Sequence, residues 1–367
     1  MTRTSLAAVF TGPGRPVELR RLALPRLVEG EALVRVTCST ICGSDLHTVR
    51  GDRPSPVPIV LGHEVVGRVE ELGPGRPARD LRGAELAPGQ RVTWSVAVSC
   101  GDCFTCRRGL PQKCETLRKY GHEELAGRWL LNGGLSEYCH LAAGTAIARV
   151  PESIPDEVVA PASCATATVA AALRCAGNLR GASVLVLGAG ALGLTACAMA
   201  SSRGAAEVIA SDVDPRRRKL AARFGATRCA PGADDTGELG ECVKEATAGR
   251  GVDVALELSG SGSSVERALE LSRIGGRSIL VGSVFPGPPV AVSPESIVRR
   301  LLRVEGVHNY TPEDLETAVS FLSEHHGNFP LAELVEESFP LRDAEKAFRF
   351  ALEHRPPRVA IKPGTVT

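Results

Sequence analysis

The stretch Ser183-Val184-Leu185-Val186-Leu187-Gly188-Ala189-Gly190-Ala191-Leu192-Gly193 decides how this chain is read. Val184 to Leu187 is an unbroken apolar run, the pattern of a strand buried on both faces. A G-x-G-x-x-G pattern follows at once, and a helix is predicted from Leu194 to Ser202. In that setting the first glycine makes the tight turn and the second lets the backbone approach a pyrophosphate. The third lets helix and strand pack closely. The helix N-terminus then turns its positive dipole end toward the phosphates. Gly188, Gly190, Leu192 and Gly193 are therefore candidate coenzyme-binding positions.

The next predicted strand, Glu207 to Ala210, leads to Asp212. A carboxylate there accepts hydrogen bonds from the adenosine ribose and repels a 2′-phosphate, which favours NAD over NADP. Arg216, Arg217 and Arg218 follow closely; they offer a 2′-phosphate site or, alternatively, form a solvated helix face. A strand at Val252 to Glu257, a helix at Val265 to Leu271 and a strand at Arg277 to Val281 continue the alternation. This is the pattern of a doubly wound parallel α/β sheet. Beyond Val304 the pattern turns helical through Pro312 to His325, and Val359-Ala360-Ile361 is predicted to return as a strand to the first domain.

Upstream, residues 1 to about 98 read as short strands and turns. Ala32, Val34, Val36 and Cys38 alternate with Leu33, Arg35 and Thr37 as a half-buried strand leading into Cys42, and Gly73 to Gly89 reads as a surface loop. Cys42-Gly43-Ser44-Asp45-Leu46-His47 and Gly62-His63-Glu64 then place a thiol and imidazoles in one short excursion. Thiolate sulfur and imidazole nitrogen suit Zn²⁺, which takes them tetrahedrally and can keep one position open. Cys100, Cys103, Cys106 and Cys114, spaced C-x2-C-x2-C-x7-C, can close a tetrahedral shell outright and describe a structural zinc site.

The totals agree. A chain of 367 residues is long for one core, so two domains are expected. Apolar content of 43% with 23% charged residues describes a soluble globular protein. Net charge of +1 gives no general pull toward nucleic acid or an anionic membrane. No apolar run is long enough to span a bilayer. The stretch Met1 to Phe10 has too short an apolar core for a secretory signal. Twelve cysteines then point to metal binding in a reducing compartment, and the cytoplasm is the expected location.

These motifs in this order resemble the zinc-dependent medium-chain dehydrogenase/reductase (alcohol dehydrogenase) family. The resemblance spans essentially the whole chain. It implies a GroES-like, β-rich catalytic domain from residues 1–164 and 306–367, with a zinc lobe at about 98–116, and a Rossmann domain at 165–305. It implies two zinc ions per chain, NAD as coenzyme, a small-molecule substrate and a homodimer or homotetramer. A pairing edge would come from Ser278 to Val284 and the Pro286 to Val290 segment. By the same resemblance Cys164 completes the catalytic zinc set with Cys42 and His63. Asp45 would fix the far nitrogen of His63, and Glu64 would lie beside the metal and enter its shell transiently. Ser44 matches the hydroxyl that touches the substrate oxygen, and His47 the outer end of the proton relay, linked through the nicotinamide ribose. Arg358 resembles an arginine that reaches the coenzyme pyrophosphate.

The substrate is the thinnest part of the reading. In the family, the segment after the fourth structural cysteine borders the substrate pocket. Here it carries Arg118, Lys119, Tyr120 and His122, with Arg107, Arg108 and Lys113 upstream. Arg118, Lys119 and Tyr120 are the candidate substrate contacts, although Tyr120 and His122 also suit packing under the lobe. A cationic rim favours a polar or anionic substrate, and the segment resembles a subgroup associated with phosphonate metabolism. A hydroxyalkylphosphonate or its oxo form is the specific expectation. The alternatives are a polyol or cyclitol dehydrogenase, a non-catalytic NAD-binding zinc protein serving as sensor or scaffold, and a zinc module on nucleic acid.

Overall fold

A computed structural model describes residues 3–364. It divides into two compact units, the first comprising Met1–Ala167, Thr311–Glu324 and Ala332–Thr367, the second Thr168–Tyr310 and His325–Leu331. The short stretch 325–331, expected with the first domain, packs with the second.

The second unit carries a six-stranded sheet in which every neighbouring pair is parallel. From edge to edge its strands are Arg228–Ala230, Glu207–Ser211, Ser183–Leu187, Val252–Glu257, Ser272–Leu280 and Arg303–Gly306. In order of sequence that is 3-2-1-4-5-6, the doubly wound Rossmann arrangement. Ser183–Leu187 sits at the switch point, with Val184 to Leu187 wholly buried, as its apolar run requires. The helix after it spans Ala191–Ser202, three residues earlier than its hydrophobic pattern alone indicates. Small residues explain the early start: Ala191 and Gly193 let the first turn sit directly against the strand end. The segment expected as a pairing edge is not the outer strand of this sheet. Ser278 to Leu280 lies inside the sheet, residues 284–290 form no strand, and Arg303–Gly306 takes the outer position with all four residues exposed.

The first unit is built on Ala32–Ile41. Its first half pairs with Tyr138–Leu141, its last residues pair with Arg358–Lys362, and Glu64–Leu72 runs along most of its length. The C-terminal strand thus returns to this sheet, as Val359-Ala360-Ile361 led us to expect. Apolar clusters fill the unit, among them one around Phe10, Ile59, Leu61, Phe348 and Ile361, one around Val34, Val92, Trp94, Tyr120 and Trp129, and a smaller one around Leu27, Leu33, Leu131 and Tyr138. Among the described residues no single helix is long and apolar enough to cross a membrane.

Candidate active site and metal centres

Two clusters of ligating side chains stand in the first unit. Cys42, His63 and Cys164 bring one ligand atom each to within 4.8 Å of one another, and so do Cys100, Cys103, Cys106 and Cys114.

Local sequence explains the first cluster. Cys42 ends the long strand and caps the helix Gly43–Arg50. Asp45, in the first turn, accepts the backbone N–H of Cys42 at 2.9 Å through Oδ2. Its Oδ1 faces His63 Nδ1 at 3.4 Å, too long for a well-formed hydrogen bond but close enough to orient the ring. The other ring nitrogen, Nε2, lies 3.3 Å from the Ser44 hydroxyl. Cys164 follows a short 3-10 turn, Ala160–Ser163, that is pinned in place by Ser163. The Ser163 hydroxyl donates to the His63 carbonyl and accepts from the Val65 N–H, at 3.1 Å each.

The electrostatics draw positive charge to this spot. The Cys164 thiol donates to Cys42 and, with Arg358 and His63 and against the cost of burial, holds the Cys42 thiol well below its usual range. The same hydrogen bond and burial push Cys164 up. Burial opposes charge on His63, but Asp45 and Cys42 outweigh it and raise its pKa to about 10. Two thiols and an imidazole around one point, with Asp45 Oδ1 and His63 Nδ1 buried and poorly satisfied, fit Zn²⁺ and leave one tetrahedral position open.

The second cluster fits a closed shell. Its Cys100 and Cys114 sulfurs are 3.5 Å apart and those of Cys103 and Cys114 3.9 Å, near the roughly 3.8 Å that Zn–S bonds of about 2.3 Å require in a tetrahedron. Backbone N–H groups of Cys100, Cys103 and Glu115 point at the sulfurs, stabilising thiolate charge.

In the second unit the glycine loop behaves as its sequence predicts. Gly188 has φ +97°, open to glycine at little cost, and a Cβ on Gly193 would stand 1.8 Å from the Gly188 carbonyl oxygen. A Cβ on Gly190 would meet nothing within 4 Å, so this is the open face at the helix N-terminus where a phosphate can approach. Leu192 lies in the first turn of that helix. Asp212 is nearly buried and accepts the Ala189 N–H at 2.7 Å and the Asp214 N–H at 2.8 Å. Each carboxylate oxygen keeps a lone pair for a ribose hydroxyl. Arg216 pairs with Asp214, and Arg218 donates to the Asp212 carbonyl. Arg217 reaches Asp212 at 3.9 Å. Two of the three arginines are thus spent on the turn itself.

Both halves of the chain have relatives. Residues 28–152 match the alcohol dehydrogenase GroES-like domain, and residues 191–324 match the zinc-binding dehydrogenase domain. The L-threonine 3-dehydrogenase of Anaeromyxobacter dehalogenans is 34% identical over 89% of each chain. The chain belongs to the zinc-dependent alcohol dehydrogenases of the medium-chain dehydrogenase/reductase family. The 5-exo-hydroxycamphor dehydrogenase of Pseudomonas putida is 30% identical over 87% of this chain and 88% of its own. Among solved structures, an alcohol dehydrogenase from Thermotoga maritima superposes with a TM-score of 0.92 at 29% identity, covering 99% of this chain and 100% of the other. A zinc-binding dehydrogenase from Sinorhizobium meliloti, solved with NADP, gives 0.85 at 27% identity, covering 98% and 100%. The dehydrogenase therefore uses zinc and a nicotinamide coenzyme on a CH–OH donor.

Several residues of this dehydrogenase stand elsewhere than expected. Arg358 is buried beside the first ligand cluster, where Nε and Nη2 each donate to Glu64 at 2.6 Å and Nη1 donates to the Pro357 carbonyl. Nη2 also points at the Cys42 sulfur at 3.6 Å, so four of its five N–H groups are engaged within this unit. Glu64 is correspondingly fixed by Arg358 and the Thr40 hydroxyl, which ties both its oxygens away from the metal position. Tyr120 is a core residue between Trp94 and Trp129, its hydroxyl bonded to Thr145 and to the Ala142 N–H, so it contacts no substrate. Arg118 lies flat on Trp129 at 3.6 Å, and Arg107 and Arg108 are engaged by Asp102 and Phe104. Of the expected contacts Arg118, Lys119 and Tyr120, it is Lys119 that couples to the cluster: it is half-buried and feels the Cys164 sulfur, and burial with Lys113 and Arg53 lowers its pKa. His47 stands one turn beyond Ser44, half exposed, with Nδ1 at 2.8 Å from Asp52. Sequence reading missed Arg53, Glu257 and the position of His122. Glu257 is buried at its strand end and gathers the N–H groups of Ser259, Gly260 and Gly282, shaping the loops beside the glycine turn.

The glycine loop gives a direct check. Gly193→Ala should lower Tm by several degrees and abolish coenzyme binding, because the helix must move off the strand at a cost of about 1–3 kcal/mol. Gly190→Ala should leave Tm unchanged and weaken coenzyme binding, measured by calorimetry. Coenzyme binding at wild-type strength in Gly190→Ala would remove the loop from the coenzyme site.

Proposed function

We propose that this dehydrogenase oxidises an alcohol bearing an anionic group, with a hydroxyalkylphosphonate and its oxo form as the substrate pair and NAD as the coenzyme. The observation that carries this reading is Lys119, a half-buried ammonium coupled to the Cys42–His63–Cys164 cluster that pairs with no carboxylate among the described residues. A half-desolvated cation without a partner favours an anionic ligand.

Cys42, His63 and Cys164 hold the catalytic zinc, and the four lobe cysteines hold the structural one. The bound groups supply Lewis acidity toward the substrate oxygen and a hydride acceptor. Asp45 keeps the His63 ring oriented so that Nε2 faces the metal position. The Ser44 hydroxyl, 3.3 Å from Nε2, would accept the substrate's proton as it passes its own on toward His47. His47 delivers that proton to solvent from the half-exposed end of the same helix. A cytoplasmic enzyme is consistent with this reading, because free thiolate ligands need a reducing compartment.

The test is reduction of NAD⁺ and NADP⁺, followed at the nicotinamide absorbance, with zinc content determined on the same sample. The panel pairs 2-hydroxyethylphosphonate with neutral polyols of similar size and with L-threonine, whose ammonium Lys119 would repel. Preference for the phosphonate with about two zincs per chain is the expected result. Preference for polyols would sink the anionic substrate, and preference for L-threonine, whose anionic group is a carboxylate, would sink the phosphonate.

A further inference from the structure

A second cation lies against the same cluster. Arg53, in the turn after the Gly43–Arg50 helix, donates through Nε to the Thr48 hydroxyl at 2.8 Å and through Nη2 to His122 Nδ1 at 2.6 Å. The His122 ring stands on the His63 ring, centroids 4.7 Å apart. Guanidinium can only donate, so His122 Nδ1 is the acceptor and the neutral ring carries its proton on Nε2. That N–H has no acceptor among the described residues, nor does Arg53 Nη1. Lys119 lies on the short strand Arg118–Lys119, three residues ahead of His122, and its charge and that of Arg53 repel. No carboxylate among the described residues pairs with either cation. Two cations and a neutral N–H donor are thus held together beside the catalytic cluster, where mutual repulsion disfavours them unless an anion joins them.

We propose that Arg53, Lys119 and His122 form the subsite that grips the anionic end of the substrate, and that it selects a tetrahedral dianion, a phosphonate or phosphate monoester, over a carboxylate. This rests on the dehydrogenase reading above. Three separate donor groups match three terminal oxygens, and two positive charges match a dianion. A planar carboxylate offers two oxygens and one charge. Thr48 and His122 fix the guanidinium before the ligand arrives, which lowers the entropic cost of binding.

Calorimetry on the zinc-loaded protein, saturated with NAD to block the coenzyme phosphate site, provides the test with methylphosphonate and acetate as probes. Wild type should bind methylphosphonate roughly tenfold or more tightly than acetate. Arg53→Gln and Lys119→Gln should each weaken methylphosphonate roughly ten- to hundredfold, and Arg53→Lys, which keeps charge but loses the fork, should weaken it less. Zinc content and Tm on each variant exclude misfolding. Equal affinity for the two probes would overturn the tetrahedral selection. Undiminished methylphosphonate binding in both Gln variants would overturn the subsite, even in an enzyme that turns over alcohols. Conversely, Arg53-dependent binding without turnover of any phosphonate alcohol would support the subsite and remove the substrate reading instead.

Discussion

Cys164→Ser should remove one of about two zinc ions per chain and lower kcat/KM by about 10³-fold or more, while Tm stays near that of the wild type. The argument runs through the ligand set. Cys42, His63 and Cys164 are the described residues that can meet at this point, and Glu64, a carboxylate beside them, is bound to Arg358 and Thr40. A serine hydroxyl fits the space, but it does not ionise near neutrality, and the metal loses a third of its protein shell. The 3-10 turn before it remains pinned by Ser163, so the backbone has no reason to move. Cys103→Ser should behave in the opposite way. It also loses one zinc, but Tm falls, because the lobe's backbone N–H groups are organised around the sulfurs. Metal analysis with steady-state kinetics and thermal melts separates the two. A Cys164→Ser protein that keeps both zincs and full turnover would show that the ligand set lies elsewhere.

How much of this was legible in the chain follows from the range of each interaction. The glycine loop and the four-cysteine lobe are local: strand, turn and helix, or ligands within one lobe, are written in adjacent residues. Cys42 and His63 were legible because their donor chemistry is distinctive, and Cys164 only through family resemblance, since a lone cysteine before a helix looks like any small apolar residue. What failed to show was the pairing of charges. Arg118, Lys119 and Tyr120 are consecutive, yet one stacks on Trp129, one couples to the ligand cluster and one is core. A strand sends neighbouring side chains to opposite faces, so a run of charge in sequence does not become a patch in space. Arg53 and His122 meet across 69 positions, and Arg358 and Glu64 across 294, distances over which no spacing rule operates.

The Arg358–Glu64 pair carries the second large expectation. Arg358→Met should destabilise the protein by about 3–5 kcal/mol, and adding Glu64→Gln should restore a substantial part of that loss. The two side chains are 5% and 0% exposed, and the guanidinium meets the carboxylate through two parallel hydrogen bonds of 2.6 Å. Methionine fills most of the space, so the cost is not a cavity. It is the carboxylate left in a dry site, with only the Thr40 hydroxyl to solvate it and the Cys42 sulfur repelling it. Neutralising that carboxylate removes the cause, which is why the double variant should recover. Denaturant unfolding of the wild type, both single variants and the double variant gives the coupling free energy directly. A coupling below about 1 kcal/mol, the range of exposed pairs, would mean that water reaches the pair. Arg358 would then be available to a ligand, and its role as a buried counter-charge to Glu64 would have to be given up.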